Sequence, residues 1–155
     1  MEKFTQRYNP DDVEWHHIVG APDFTQYKLD YEYTILGCDI PSGRLDMMMR
    51  FQGNGGHCER HRHVASTTTL ILEGEQHLEE HQPDGSVKHI VRQAGEYSLA
   101  EPDALPHMER GGPEGCVLLL SLHAPDGILF EVLDQQFEKI VDVPIEDFVA
   151  RWTAR

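Results

Sequence analysis

The residues best placed to do chemistry lie in Gly55-Gly56-His57-Cys58-Glu59-Arg60-His61-Arg62-His63. This run leads into an extended stretch. Residues two apart on a strand face the same side, roughly 6.5–7 Å from each other. His61 and His63 can therefore aim both imidazoles at one point, while Arg60 and Arg62 face the other way. Imidazole suits iron, zinc, copper and nickel. Glu59 shares the parity of the pair and is a candidate fourth ligand or base, although solvent beyond the strand end also suits it. His57 is a candidate for the entrance to the same site. Cys58 has no second cysteine beside it, which weakens a thiolate ligand there. His77, Glu79 and His81 alternate on a later strand, but Leu78 and Glu80 between them are not both apolar, so a solvated hairpin face is expected.

Strands must position these groups. Residues 31–38, 45–51, 66–73, 76–81, 87–92, 97–100, 117–123 and 128–133 are short runs rich in β-branched or large apolar side chains. Turn residues separate them, at 41–43, 53–56, 83–85, 111–113 and 125–127. Pro83-Asp84-Gly85 predicts a hairpin over 76–92. Phe51, Leu70, Leu72, Leu118, Leu120 and Leu122 are the expected core, and Met47, Met48 and Met49 fill gaps in it or at an interface. Asn9-Pro10-Asp11-Asp12-Val13-Glu14-Trp15 predicts a short helical turn. Only the C-terminus is convincingly helical. Ile145, Phe148, Val149 and Trp152 form one apolar face that should pack on the strands or on a partner subunit. Pro144, Glu146 and Asp147 open this helix, and Arg151 and Arg155 lie near its end, as its dipole favours.

With strands of this number and spacing, the order of further residues resembles the two motifs of the cupin superfamily, the RmlC-like jelly rolls. Gly55, His61, His63, Thr67 and Gly74 stand where the first motif has a glycine, His-x-His, usually a glutamate, and a closing glycine. Gly95, Pro102, Ala104 and His107 follow the second motif, with Ala104 in place of its usual glycine. The resemblance covers about residues 45–125. It implies an all-β, single-domain cupin spanning 1–155: a double-stranded β-helix with its barrel core at about 30–135 and a short helix at about 144–155. It also implies a divalent metal on His61, His63 and His107. Thr67, or Thr68, replaces the glutamate ligand and is a poor ligand itself. Three neutral histidines would leave the metal its full +2 charge, suited to an anionic chelator such as an enolate.

Three-histidine cupins of this size include the acetylacetone-cleaving and 2,4'-dihydroxyacetophenone dioxygenases. That resemblance implies ferrous iron, with zinc or nickel as other occupants, and cleavage of a C–C bond beside a carbonyl in a small diketone or hydroxyketone. It also implies that Glu101, six residues before His107, orients a ligand or moves a proton. The alternatives are a zinc-holding, ligand-sensing cupin without catalysis, and an O₂-independent lyase or isomerase with Tyr97 as its nearest candidate base.

Composition agrees with a small-molecule partner. Asp and Glu number 27 against 13 Lys and Arg, giving a formal charge of −14. Such a surface repels nucleic-acid phosphate and anionic membranes. No run reaches the roughly 18–20 apolar residues of a membrane span. The polar first residues and three scattered cysteines, Cys38, Cys58 and Cys116, are those expected of a cytoplasmic chain with free thiols. A homodimer is expected through strand edges, the 145–152 face or the 30–50 strands.

Overall fold

The computed structural model describes residues 3–20 and 27–154. Its strands are β1 (Lys3–Thr5), β2 (His16–Val19), β3 (Asp30–Asp39), β4 (Arg44–Phe51), β5 (His61–His63), β6 (Ser66–His81), β7 (Val87–Gln93), β8 (Tyr97–Ala100), β9 (His107–His123), β10 (Ile128–Leu133) and β11 (Lys139–Pro144). A 3-10 turn at Ile40–Ser42 joins β3 to β4, and one helix, α1 (Ile145–Thr153), closes the described chain. The segment 9–15 is not helical: residues 9–12 form a turn in which the Asp12 amide donates to the Asn9 carbonyl, and 13–15 are irregular. Arg155 lies outside the described residues.

The strands curl into a jelly roll. One path runs β1-β3-β4-β9-β5-β10-β11, and β6 pairs with β7, β8 and β9. The long strands β6 and β9 bind the barrel together. One stretch of β9, from Cys116 to His123, lies against β4, while its first residue, His107, pairs with His61 of β5. The paired strands bend where Gly74 meets Cys116, with register shifts on either side of Gly74. Gly74 has φ +68°, and a Cβ there would lie 2.1 Å from the Gly115 carbonyl oxygen. Only glycine fits that crossing. The 76–92 hairpin forms as predicted: the Gly85 amide donates to the Gln82 carbonyl (3.0 Å), and Asp84 Oδ1 accepts from the Ser86 amide.

Parity along β6 decides the core. Thr67, Thr69 and Ile71 turn inward and are buried, so Leu70 and Leu72 face outward, contrary to the expectation that they line the interior. Phe51, Leu118, Leu120 and Leu122 are buried as expected, together with Met47, Met48 and Met49. The apolar face of α1 packs on the barrel itself. Trp152 stacks on Phe4 with ring centres 5.7 Å apart, and Phe148 lies 4.9 Å from Tyr33. The helix thereby closes one end of the interior and brings Phe148 and Arg151 to a cavity there.

Candidate metal centre

β5 is only three residues long, and its neighbours fix its orientation. His63 pairs with Phe130 and His61 with Val132 of β10, while His61 pairs with His107 on the other side. Both histidines are buried, and Arg62 between them faces outward, with Nε 2.6 Å from Glu131 and Nη1 3.1 Å from Asp103. The outward ion pairs and the inward imidazoles follow from the same two-residue period. The three rings of His61, His63 and His107 meet with centres 4.4–5.1 Å apart, and one nitrogen from each lies within 4.8 Å of the others.

Hydrogen bonds at the outer nitrogens set the tautomers. His61 Nδ1 donates to the Glu59 carbonyl at 2.6 Å. Thr67 gives its own hydroxyl proton to the Ala65 carbonyl, so its oxygen accepts from His63 Nδ1 at 2.8 Å. His107 donates to the Leu105 carbonyl, and its Nε2 is buried with no hydrogen-bond partner among the described residues. Every Nδ1 thus carries its proton, and every Nε2 presents a lone pair to the interior. His61 Nε2 and His63 Nε2 stand 3.1 Å apart with no proton to share. A cation resolves both the facing lone pairs and the orphaned His107 nitrogen, so the residues fit a divalent metal. Burial, then the neighbouring His61, holds His63 well below the usual histidine range. Burial, then His61 and His63, does the same for His107. Neutral imidazole is the ligating form.

Two cavities meet at this triad. The first, of about 90 Å³, is mainly apolar, with Met47, Met49, Leu120, Phe130, Val132 and Phe148 around His61 and His63. Its polar groups include Glu59, Tyr31 and Arg151. The Tyr31 hydroxyl donates to Glu59 Oε2 at 2.8 Å, and burial, reinforced by Glu59, pushes the phenol well above its usual range. The second, of about 60 Å³, is lined by His63, His107, Thr69, Gln76, Arg92 and Glu109, among others.

The remaining sequence candidates fall in different places. Glu59 lines the first cavity but does not join the cluster of converging nitrogens. Thr67 touches His63 on the side away from that cluster. Glu101 is exposed beyond β8 and lines neither cavity. Tyr97 is 62% exposed on β8, which pairs with β6, so Tyr31 and not Tyr97 lines the cavity at the triad. His57 bonds the Gly55 carbonyl away from the triad, and His77 pairs with Glu75 on the outer side of β6. His81 packs on Phe137.

Sequence reasoning missed Glu109 and Gln76. Glu109 is 3% exposed and lines both cavities. Its oxygens accept from Gln76 Nε2 at 2.6 Å and from the Cys58 thiol at 3.5 Å. Cys58, His61 and Glu109 form a second close group of donor atoms. The Cys58 thiol is pushed well up, by burial first and then by Glu109, so it remains a protonated donor. Two residues past His107 on the same strand, Glu109 shares its face, a signal the sequence does contain.

Neither a family model nor a curated protein matches this sequence. Solved structures do match its fold. A protein provisionally described as an acetylacetone dioxygenase, from Methylibium petroleiphilum PM1, superposes with a TM-score of 0.68 at 16% identity, covering 98% of this chain and 97% of its own. An acetylacetone dioxygenase from Acinetobacter johnsonii gives 0.66 at 12% identity, with 99% of each chain covered. An RmlC-like cupin from Ralstonia eutropha JMP134 gives 0.67 at 17% identity, covering 97% of this chain and 86% of its own.

Proposed function

We propose, on the premise that this chain has the RmlC-like cupin fold, that it is a non-haem Fe(II) dioxygenase cleaving a C–C bond beside a carbonyl in a small diketone or hydroxyketone. The observation that carries the reading is three preset Nε2 lone pairs with no carboxylate among them, two of their rings, His61 and His63, lining an apolar cavity. His61, His63 and His107 would hold the metal. It would supply a Lewis-acidic, redox-active centre for a chelating dicarbonyl anion and for O₂. The protein's own residues supply the rest. Phe130, Phe148, Met47, Met49 and Leu120 keep water out and bind the alkyl ends of the substrate. Glu59, steadied by Tyr31, is a carboxylate in the cavity placed to take the proton that turns a diketone into its enolate.

The test is anaerobic reconstitution with Fe(II), titration with a β-diketone panel, and then admission of air. A charge-transfer band followed by oxygen uptake is expected. Absence of both across the panel contradicts the reading. The Tyr31–Glu59 pair favours one other function, an O₂-independent lyase or isomerase using that pair for proton transfer. Turnover that continues without oxygen selects it. We also infer a homodimer, which light scattering checks.

A further inference from the structure

We propose that the second cavity is a carboxylate subsite with Arg92 as its specificity-determining residue, so that the substrate is a dicarbonyl acid: a diketone with an alkyl group at one end and a carboxylate at the other. This rests on the dioxygenase reading and names the substrate class for it. Strand register sets the arginine in place. Arg92 stands opposite Gln76 in the β6–β7 pairing, and Ile90 stands opposite Leu78. The register shifts around Gly74 turn Gln76 and Leu78 into the interior, and both are buried. Ile90 and Arg92 follow them and are half-buried, while Val91 and Gln93 are exposed. An arginine on an inward face is uncommon unless an acid pairs with it. Among the described residues Arg92 forms no ion pair, and its one side-chain hydrogen bond runs from Nη1 to Gln76 Oε1 at 3.1 Å.

That bond steadies the guanidinium and leaves its other N–H donors for an occupant of the cavity, whose walls include His63 and His107. Two hydroxyls join it. Thr69, 6% exposed, and Ser98 are cross-strand neighbours on β6 and β8 and line the same cavity. Neither side chain has a hydrogen bond among the described residues. A carboxylate accepts from all these donors, and arginine grips it with two parallel N–H bonds. Two acids, Glu80 and Glu109, also line the cavity, but neither pairs with Arg92. Glu80 accepts from Gln82, and Glu109 accepts from Gln76 and Cys58. The volume of about 60 Å³ suits a group as small as a carboxylate. The mainly apolar first cavity shares His63, Glu109 and Leu120 with this one. A dicarbonyl held at the triad would thus extend its alkyl end into the first cavity and its carboxylate into the second. The first cavity has an arginine too, Arg151, but that side chain is exposed on α1.

Two ligands that differ at one terminus test this: heptane-2,4-dione, and 4,6-dioxoheptanoate, in which a carboxylate replaces the terminal methyl of the propyl end. Isothermal titration of the Fe(II)-loaded full chain, without oxygen, gives both affinities. Wild type should bind the acid about 10-fold or more tightly than the neutral diketone, the size of one hydrogen bond to a charged group. Arg92→Met keeps the stem and removes the charge. It should lose that preference while its affinity for the neutral diketone stays within about threefold of wild type. Arg92→Lys, which keeps the charge without the fork, should retain part of the preference. Wild type that binds the two ligands equally, or the neutral one more tightly, overturns the proposal, and this comparison needs no variant. A preference that survives in Arg92→Met overturns it too, because the carboxylate is then held elsewhere, and its loss in Arg151→Met would say where. Equal loss of both ligands in Arg92→Met marks a structural role and also overturns it. Wild type that binds neither ligand overturns the dioxygenase reading and this one with it, whereas binding of heptane-2,4-dione without preference for the acid rejects the subsite alone.

Discussion

His61 belongs to two groups of potential metal donors, and they differ in kind. With His63 and His107 it forms a cluster whose outer nitrogens are all engaged and whose inner nitrogens face one another. With Cys58 and Glu109 it forms an equally close cluster that satisfies itself: thiol donates to carboxylate, the carboxylate also accepts from an amide, and the imidazole N–H reaches a carbonyl. Proximity of ligand atoms does not separate the two. Completeness of hydrogen bonding does. A buried polar atom without a partner is costly, so the first cluster asks for a cation and the second does not. The first is therefore the proposed metal-binding group.

The largest effect expected from this contrast comes from exchanging its members. His107→Gln should weaken zinc binding by more than about 100-fold, beyond the loss typical of an outer partner. Cys58→Ala should change it by less than about threefold. Isothermal titration of both variants checks this, and comparable losses in the two would erase the distinction. Next in size is Thr67→Val, which keeps the shape and removes the acceptor for His63 Nδ1. An affinity loss of about 10–100-fold is expected, read by the same titration.

Acidity separates the clusters further. His63 and His107 are held well below the ordinary histidine value, which is about 6.5. Below that pH the unfolded chain takes up protons that the folded, metal-free chain refuses. Metal-free stability is therefore fully present above about pH 6.5 and falls as the pH drops below it. Burial lowers His57 and His81 as well, and they add in the same direction. The Cys58 thiol stays neutral across this range. Melting temperatures of chelator-treated protein should fall from pH 7.5 to 5.5, and a His63→Gln, His107→Gln double variant should fall less steeply. The smallest effect is the stability cost of Cys58→Ala, about 1–3 kcal/mol for the lost thiol packing and hydrogen bond. Urea unfolding measures it.

The sequence made the histidines legible because a period of two survives from Glu59 to Thr69. The same rule, carried two residues past His107, would have marked Glu109. Gln76 was beyond its reach. The register shifts around Gly74 move the inward positions from odd to even numbers, so Gln76 and Leu78 follow Ile71 into the interior. No local pattern announces such a bulge. Gly111-Gly112-Pro113 reads as a turn, yet it lies inside β9, which starts at His107 and not at residue 117. Glycine there admits close backbone contact, and a Cβ on Gly111 would sit 3.0 Å from Gly115. β11 was missed because Ile140 and Val141 are both exposed, which breaks the alternation of a half-buried strand. β1 and β2, short and largely polar, carry no such pattern at all. Glu101 matched by spacing alone, and spacing does not report that the chain turns outward between β8 and β9.

X-ray absorption at the zinc edge of protein loaded with one equivalent tests the central claim most directly, because the two clusters differ in sulfur. The account predicts a shell of nitrogen and oxygen scatterers at about 2.0–2.1 Å with imidazole features and no sulfur. A sulfur scatterer at about 2.3 Å would place the metal on Cys58 and contradict it.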